Sequence, residues 1–241
     1  MSSPLDNPTW TSLAGPHARF AERAGRVLRY PEDVAPFLGL PDDPGEQDWR
    51  DVAALAGPGA TVVVAGGSAR PPAGWEVLEV LPGVQLVDEG VAAAADPEAV
   101  RLGPADVPEM LDLVARTKPG PFRKRTVELG TYLGIRREGA LVAMAGERLH
   151  PPGHTEISAV CTDPAVRGQG LGTRLVHAVA VGIRERGETP MMHAAAGNTS
   201  AIRLYESLGF VVRRRPNFVA VRVPAWVRHR STSRAARSSA R

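Results

Sequence analysis

Arg167-Gly-Gln-Gly-Leu-Gly172 is the stretch on which the reading of this 241-residue chain turns. Before it lies Thr155 to Thr162, a strand candidate. After it comes Leu171 to Arg186, where Leu171, Leu175, Val176, Val179 and Ile183 recur on one helical face while Arg174, His177, Arg184 and Glu185 take the other. Glycines between a strand and a helix let backbone approach a ligand closely. Successive N–H groups at the helix N-terminus can then converge on one anion, and a phosphate is the natural guest. Two common phosphate binders are excluded. A Walker loop needs Lys followed by Ser or Thr, but Gly172 is followed by Thr173-Arg174. A dinucleotide fold needs a third glycine where Thr173 stands, and an acid ending the next strand, which Pro190 to Ala196 lacks.

The elements around the loop fix the expected fold. Upstream, Val100 to Leu102 reads as a short strand, and Asp106 with Glu109 three residues on predicts a capped helix running to Thr117. Three strand candidates follow: Thr131 to Arg136, Ala140 to Leu149 and Thr155 to Thr162. A Glu138-Gly139 turn and the loop His150-Pro-Pro-Gly-His154 join them, so an antiparallel meander is the economical reading. Downstream come a strand at Pro190 to Ala196, a helix capped by Asn198 and stopped at Gly209, and strands at Phe210 to Arg214 and Phe218 to Val223. The expected class is α/β (α+β), a mixed, mostly antiparallel central sheet flanked by helices.

Against this order the motifs become specific. Arg167-x-x-Gly170-x-Gly172, led by Val160-Cys-Thr-Asp-Pro164, resembles the cofactor signature of the GNAT superfamily of N-acetyltransferases. The run Asn198-x-x-Ala201-x-x-Leu204-Tyr205-Glu206-x-Leu208-Gly209-Phe210 is similar to that superfamily's downstream motif. The resemblance covers roughly Val100 to Val223 and implies the acyl-CoA N-acyltransferase type of fold, with acetyl-CoA as co-substrate and no metal. It implies that the pyrophosphate sits on Arg167, Gly168, Gln169, Gly170, Leu171, Gly172 and Thr173. The pantetheine arm would run along Val160, Cys161 and Thr162, with Asn198, Ala201 and Tyr205 on its other side. The amine would attack the thioester directly.

Candidate proton carriers follow. The Tyr205 phenol can donate to a leaving thiolate, although its helical face also suits a core aromatic. A base must take the proton of the ammonium. Glu156 is the first choice, because strand alternation puts it on one face with Ser158, Val160 and Thr162; Glu147 is the second. Either carboxylate could equally be ion-paired, for instance with Arg148. His150, His154 and His193 rank below them, and Cys161 reads as a small strand residue packing inward.

Residues 1–95 lie outside these motifs and read as an N-terminal α/β extension, expected to be a degenerate copy of the same fold. It carries helices near Pro16 to Leu28 and Asp48 to Leu55, a strand at Thr61 to Ala65, and a hairpin of Trp75 to Val80 with Val84 to Val87. His17, Arg19 and Glu22 are expected on a helix surface. Residues 96–225 form the transferase domain, and 226–241 a disordered basic tail. The tail from Arg228 holds five arginines and no acid, so without it the net charge of +3 becomes −2. That near-neutral body argues against a nucleic-acid partner. Cys161 is the only cysteine, which excludes an internal disulfide and a multi-cysteine metal site. With neither a signal-peptide pattern nor an apolar run of membrane length, a cytoplasmic protein is expected, with no membrane partner and a monomeric or homodimeric state. The acceptor is expected to be a small-molecule amine, an amino acid or a peptide. The competing expectation is a catalytically silent acyl-CoA-binding regulator.

Overall fold

The computed structural model describes residues 3–65 and 70–225. The basic tail from Arg228 lies outside the described residues. Helix α1 (Pro8–Ala14) places Pro8 where no N–H is needed, and ends at Gly15. The helix expected over Pro16 to Leu28 is absent: a short turn of 3₁₀ helix, Ala18–Phe20, leads into strands β1 (Glu22–Ala24) and β2 (Val27–Arg29). Gly25, at φ 53°, makes the tight turn between them, and a hairpin wins over the helical pattern. His17 is consequently buried and not on a helix surface. Then come β3 (Phe37–Gly39), α2 (Glu46–Ala56) and β4 (Thr61–Ala65).

Next is β5 (Glu76–Asp88), one continuous strand where a hairpin was expected. The Pro82-Gly83 pair does not reverse the chain because each half of the strand has its own partner. β6 (Val100–Leu102) and α3 (Val107–Thr117) follow. Asp106 does not cap α3; its carboxylate accepts from Gly103 N–H and pairs with Arg136. Strands β7 (Tyr132–Arg137), β8 (Ala140–Glu147) and β9 (His154–Thr162) form the expected meander. The chain ends its described part with α4 (Leu171–Glu185), β10 (Thr189–Ala195), α5 (Thr199–Ser207), β11 (Phe210–Arg214) and β12 (Asn217–Arg222).

The strands join in the order β1-β2-β3-β4-β12-β5-β10-β9-β8-β7-β6, with β11 also pairing β5. Leaving out the edge strand β6, this order reads alike from either end. β3 and β4 are parallel and linked through α2, as β9 and β10 are parallel and linked through α4. The halves exchange strands at the centre: β5 lies beside β10, and β12 lies beside β4. Each exchanged strand is antiparallel to its new neighbour, and the two are antiparallel to one another.

Helix α4 covers one face of the sheet, packing Leu171, Leu175, Val176, Val179 and Ile183 against Ile135, Ile157, Val84 and Leu86. Each such side chain contributes roughly 1.5–3 kcal/mol on burial. Helix α3 covers the other face with Met110 and Leu113, against Leu102, Tyr132, Met144 and Cys161. Two further cores lie under the N-terminal half, around Tyr30 and Trp49.

Candidate active site

A break in strand pairing creates the site. β9 and β10 pair in parallel only from His154↔Thr189 to Ile157↔Met192, and beyond that the two strands part. At the parting point β9 carries a bulge: between Ser158 and Cys161 it holds one residue more than the β8 segment from Gly146 to Met144. Ala159 takes the extra turn at φ 53°, in the left-handed region that a residue with a Cβ rarely adopts. The bulge reverses the side-chain alternation. Ile157 and Val160 both face the α4 core, whereas Ala159 and Cys161 pack on the α3 side. The expectation that Glu156 shares a face with Val160 and Thr162 is thereby overturned.

The parted strands open a cavity of about 830 Å³. Val160, Cys161, Thr162, Arg167, Gly172, Asn198, Ala201 and Tyr205 all line it. Leu171 turns into the core, and Gly168, Gln169, Gly170 and Thr173 fall outside the cavity wall at the entrance to α4. Gly168 and Gly170 sit at φ 82° and 71°, so glycine is required there by backbone conformation and not by crowding. Gly170 is the N-cap of α4 and offers no side chain, which leaves the N–H groups of the first turn without a side-chain acceptor. An anionic phosphate would meet those N–H groups and the Arg167 guanidinium, so the residues fit the group that the sequence implies. Asn198 spends its side-chain oxygen capping α5, accepting from Ala201 N–H at 3.2 Å.

At the inner end of the cavity lies a buried polar chain. Glu156 is fully buried and receives two hydrogen bonds from Arg148, at 2.6 and 2.9 Å. His193 Nδ1 lies 2.9 Å from the Glu156 Oε1 atom. Burial by itself would raise the Glu156 carboxyl, but the Arg148 charge and its hydrogen bonds, aided by His193, hold it well below the usual carboxylate range. On its far side His193 Nε2 lies 3.1 Å from the Gln85 amide nitrogen. The Gln85 amide is oriented by Arg213, which donates to its oxygen, and by the Leu5 carbonyl, which takes its N–H. An N–H therefore points at Nε2, which must accept, and Nδ1 carries the proton toward Glu156.

Tyr205 packs its ring edge-on to Phe210 and lines the cavity, and its hydroxyl has no hydrogen-bond partner among the described residues. Burial, with the nearby Cys161, pushes its phenol up to about 12. Cys161 is a free, buried thiol, pushed up by burial to about 11, so it stays in the un-ionised form that is a poor nucleophile. Glu147 lies elsewhere: its carboxylate is held by Arg186 and by Thr131 N–H, outside the cavity wall. His154 sits at the opposite end of β9 from the cleft, and His150 packs on His17. Sequence reasoning ranked His193 below the two carboxylates, whereas in the structure His193 lines the cavity and neither carboxylate does. The same reasoning missed Gln85, Phe37 and Glu79 altogether, because these come from the N-terminal half and no local pattern links them to the loop. Among the described residues no group of three or more His, Cys, Asp or Glu could hold a metal ion, and no helix is long and apolar enough to cross a membrane.

Comparison with known proteins agrees with this fold. The profile of the FR47-like protein family matches residues 132–219. An acetyltransferase from the GNAT family of Novosphingobium aromaticivorans is 39% identical, with a TM-score of 0.83 over 91% of this chain and 98% of its own. The N-alpha-acetyltransferase RimI of Mycobacterium tuberculosis is 33% identical over 130 residues, 48% of this chain and 81% of RimI. The chain thus belongs to the GNAT family of acetyltransferases. A mycothiol acetyltransferase of Thermomonospora curvata is 37% identical over 75 residues, 31% of this chain, and the match spans only 25% of that relative.

Proposed function

We propose that this protein transfers an acetyl group from acetyl-CoA to a primary amine by direct attack. The observation that carries this reading is the cleft opened by the parting of β9 and β10, which joins the uncapped N-terminus of α4 to the buried His193–Glu156 pair. Acetyl-CoA supplies an activated thioester, and every other role falls to the chain. The first-turn N–H groups of α4 and Arg167 bind phosphate, while the main chain of Val160, Cys161 and Thr162 offers an edge along which the pantetheine arm can pair. Main-chain N–H near Val160, freed by the bulge, is placed to polarise the carbonyl.

The proton of the amine goes to His193 in this reading, and not to Glu156. Both Glu156 oxygens are already held, and a carboxylate of depressed pKa is a weak base. His193 Nε2 is an unprotonated acceptor at the cavity wall once the substrate amine replaces the Gln85 N–H, and Glu156 positions the ring and balances the imidazolium that forms. Tyr205 donates to the departing sulfur. We further propose that residues 1–95 are a degenerate copy of the same fold, because the parallel pair β3/β4 with α2 repeats the pair β9/β10 with α4.

A thiol-release assay with acetyl-CoA tests the reading, run across alkyl amines, amino acids and peptide N-termini. Amine-dependent release with formation of the acetylated amine is the expected result. Tight CoA binding with no release on any amine would reject it.

A further inference from the structure

The cavity has a second wall that the acetyl-transfer chemistry does not use, and most of it comes from the N-terminal half. Pro36 and Phe37 of β3 and its approach, Val63 of β4, and Glu79 and Leu81 of β5 line it, together with Phe218 of β12. Strand alternation puts Glu79, Leu81, Gly83 and Gln85 on one face of β5. Two contacts agree. A Cβ on Gly83 would strike the Phe218 ring at 2.5 Å, and that ring stands edge-on to His193 at 5.9 Å between centroids. The face of β5 is therefore a trough that runs from the His193 end, lying directly opposite Gln85, out to Glu79.

Charge along this trough is uneven. Arg148, Arg167 and Lys118 line other parts of the cavity, and Glu79 is the one carboxylate among the described lining residues. Arg148 is spent on Glu156. Glu79 is exposed, and no hydrogen bond or ion pair joins it to any described residue. Its neighbour on the strand, Glu76, is by contrast paired with Arg222 at 2.9 Å. Six residues at about 3.3 Å each separate Glu79 from Gln85, so about 20 Å of strand lies between the carboxylate and the level of His193. The wall between is apolar, formed by Leu81 and Phe218 over the bare backbone of Gly83.

We infer that the acceptor is an extended amine bearing a second cationic group, with its reactive nitrogen at His193, its apolar middle along Leu81 and Phe218, and its remote cation on Glu79. This rests on the acetyl-transfer reading above and names the class of substrate for it. Two sources share the chemistry: a polyamine, and a peptide whose basic residue lies roughly four to six positions from its N-terminal amine.

The test uses the full chain with a ladder of α,ω-diamines against monoamines of equal length, and peptides of alanine with one lysine placed from position 2 to position 7. Initial rates with acetyl-CoA are read alongside calorimetric binding of the same compounds in the presence of CoA. The expected result is a second-cation preference of roughly threefold to fivefold in KM, the worth of a partly exposed ion pair, at one length of the ladder. Whichever ladder shows the maximum identifies the source. In Glu79→Gln the ratio of diamine to monoamine, or of lysine to alanine peptide, falls toward one, whereas Glu76→Gln keeps it. A ratio unchanged in Glu79→Gln, or no second-cation preference in the parent by either readout, overturns the assignment. Glu79-dependent binding without turnover would leave the subsite standing and reject the transfer chemistry, so the two failures are distinguishable.

Discussion

Replacing Tyr205 by Phe removes one hydroxyl and nothing else. That hydroxyl has no hydrogen-bond partner among the described residues, and the edge-on contact of the ring with Phe210 survives. Stability should therefore change by no more than about 0.5 kcal/mol, or roughly 1–2 °C in Tm for a chain of this size. The catalytic effect is set by the phenol's acidity. With its pKa pushed up to about 12 by burial, Tyr205 stays a donor throughout the working range. Full proton transfer to a thiolate of reference pKa ~8.5 would run uphill by roughly 3–4 units, about 5 kcal/mol. What remains is a hydrogen bond to the sulfur as charge develops on it, worth about 1.5–3 kcal/mol, so kcat should fall roughly tenfold to a hundredfold. The assay is steady-state thiol release at saturating acetyl-CoA, with CoA affinity measured separately. Undiminished kcat in a folded Tyr205→Phe protein would refute the donor assignment and return Tyr205 to the core. A fall in kcat accompanied by loss of CoA affinity would show a binding role instead.

Gly170→Val puts a β-branched residue at φ 71° where no neighbour crowds it, so the loop must deform for backbone reasons alone. The thermal protection that CoA gives the parent, about 2.7 kcal/mol at a hundredfold excess over Kd, should be lost, and a variant protected like the parent would contradict the loop assignment. Glu156→Gln leaves the buried Arg148 charge without its counter-ion, a loss of roughly 3–5 kcal/mol of stability by denaturant titration. If Glu156 positions His193 and balances the imidazolium that forms, the variant's plateau rate should also fall, and the acidic limb of its pH profile should move to lower pH. An unchanged pH-rate curve would move the base role to ordered water. His17 is buried against Tyr30 and Leu129, and burial with the neighbouring His150 lowers its pKa to about 3. The unfolded chain, near 6.5, then binds more protons between the two values, so stability falls as pH drops from about 6.5 toward 3. By pH 5 the loss should reach about 2 kcal/mol, and His17→Gln should flatten that part of a Tm-against-pH curve.

Read alone, the sequence located the glycine loop, the helix that follows it, the meander before it and the Asn198 to Phe210 segment, because each is written in local chemistry. Periodicity marks α4, alternation marks β7 to β9, and glycine at positive φ marks the turn into the helix. Of the positions expected to face the cofactor, Val160, Thr162, Asn198 and Tyr205 all reach the cavity, being tied to the strand before the loop and to the start and inner face of α5. Two things were not local. The extra residue at Ala159 shifts the alternation of β9, and a bulge has no sequence signal when it falls on alanine and not on glycine. Glu156 therefore enters a buried ion pair instead of facing the cleft. The exchange of β5 and β12 is the larger case. β5 was mistaken for a hairpin because Pro82-Gly83 reads as a turn, yet Gly83 is there to admit Phe218, and the strand continues past it because β12 and β10 take its two halves. Only that long-range pairing sets Gln85 against His193 and brings Glu79 into the trough, since strand partners so far apart in the chain are chosen by the packing of both halves and not by any window of sequence.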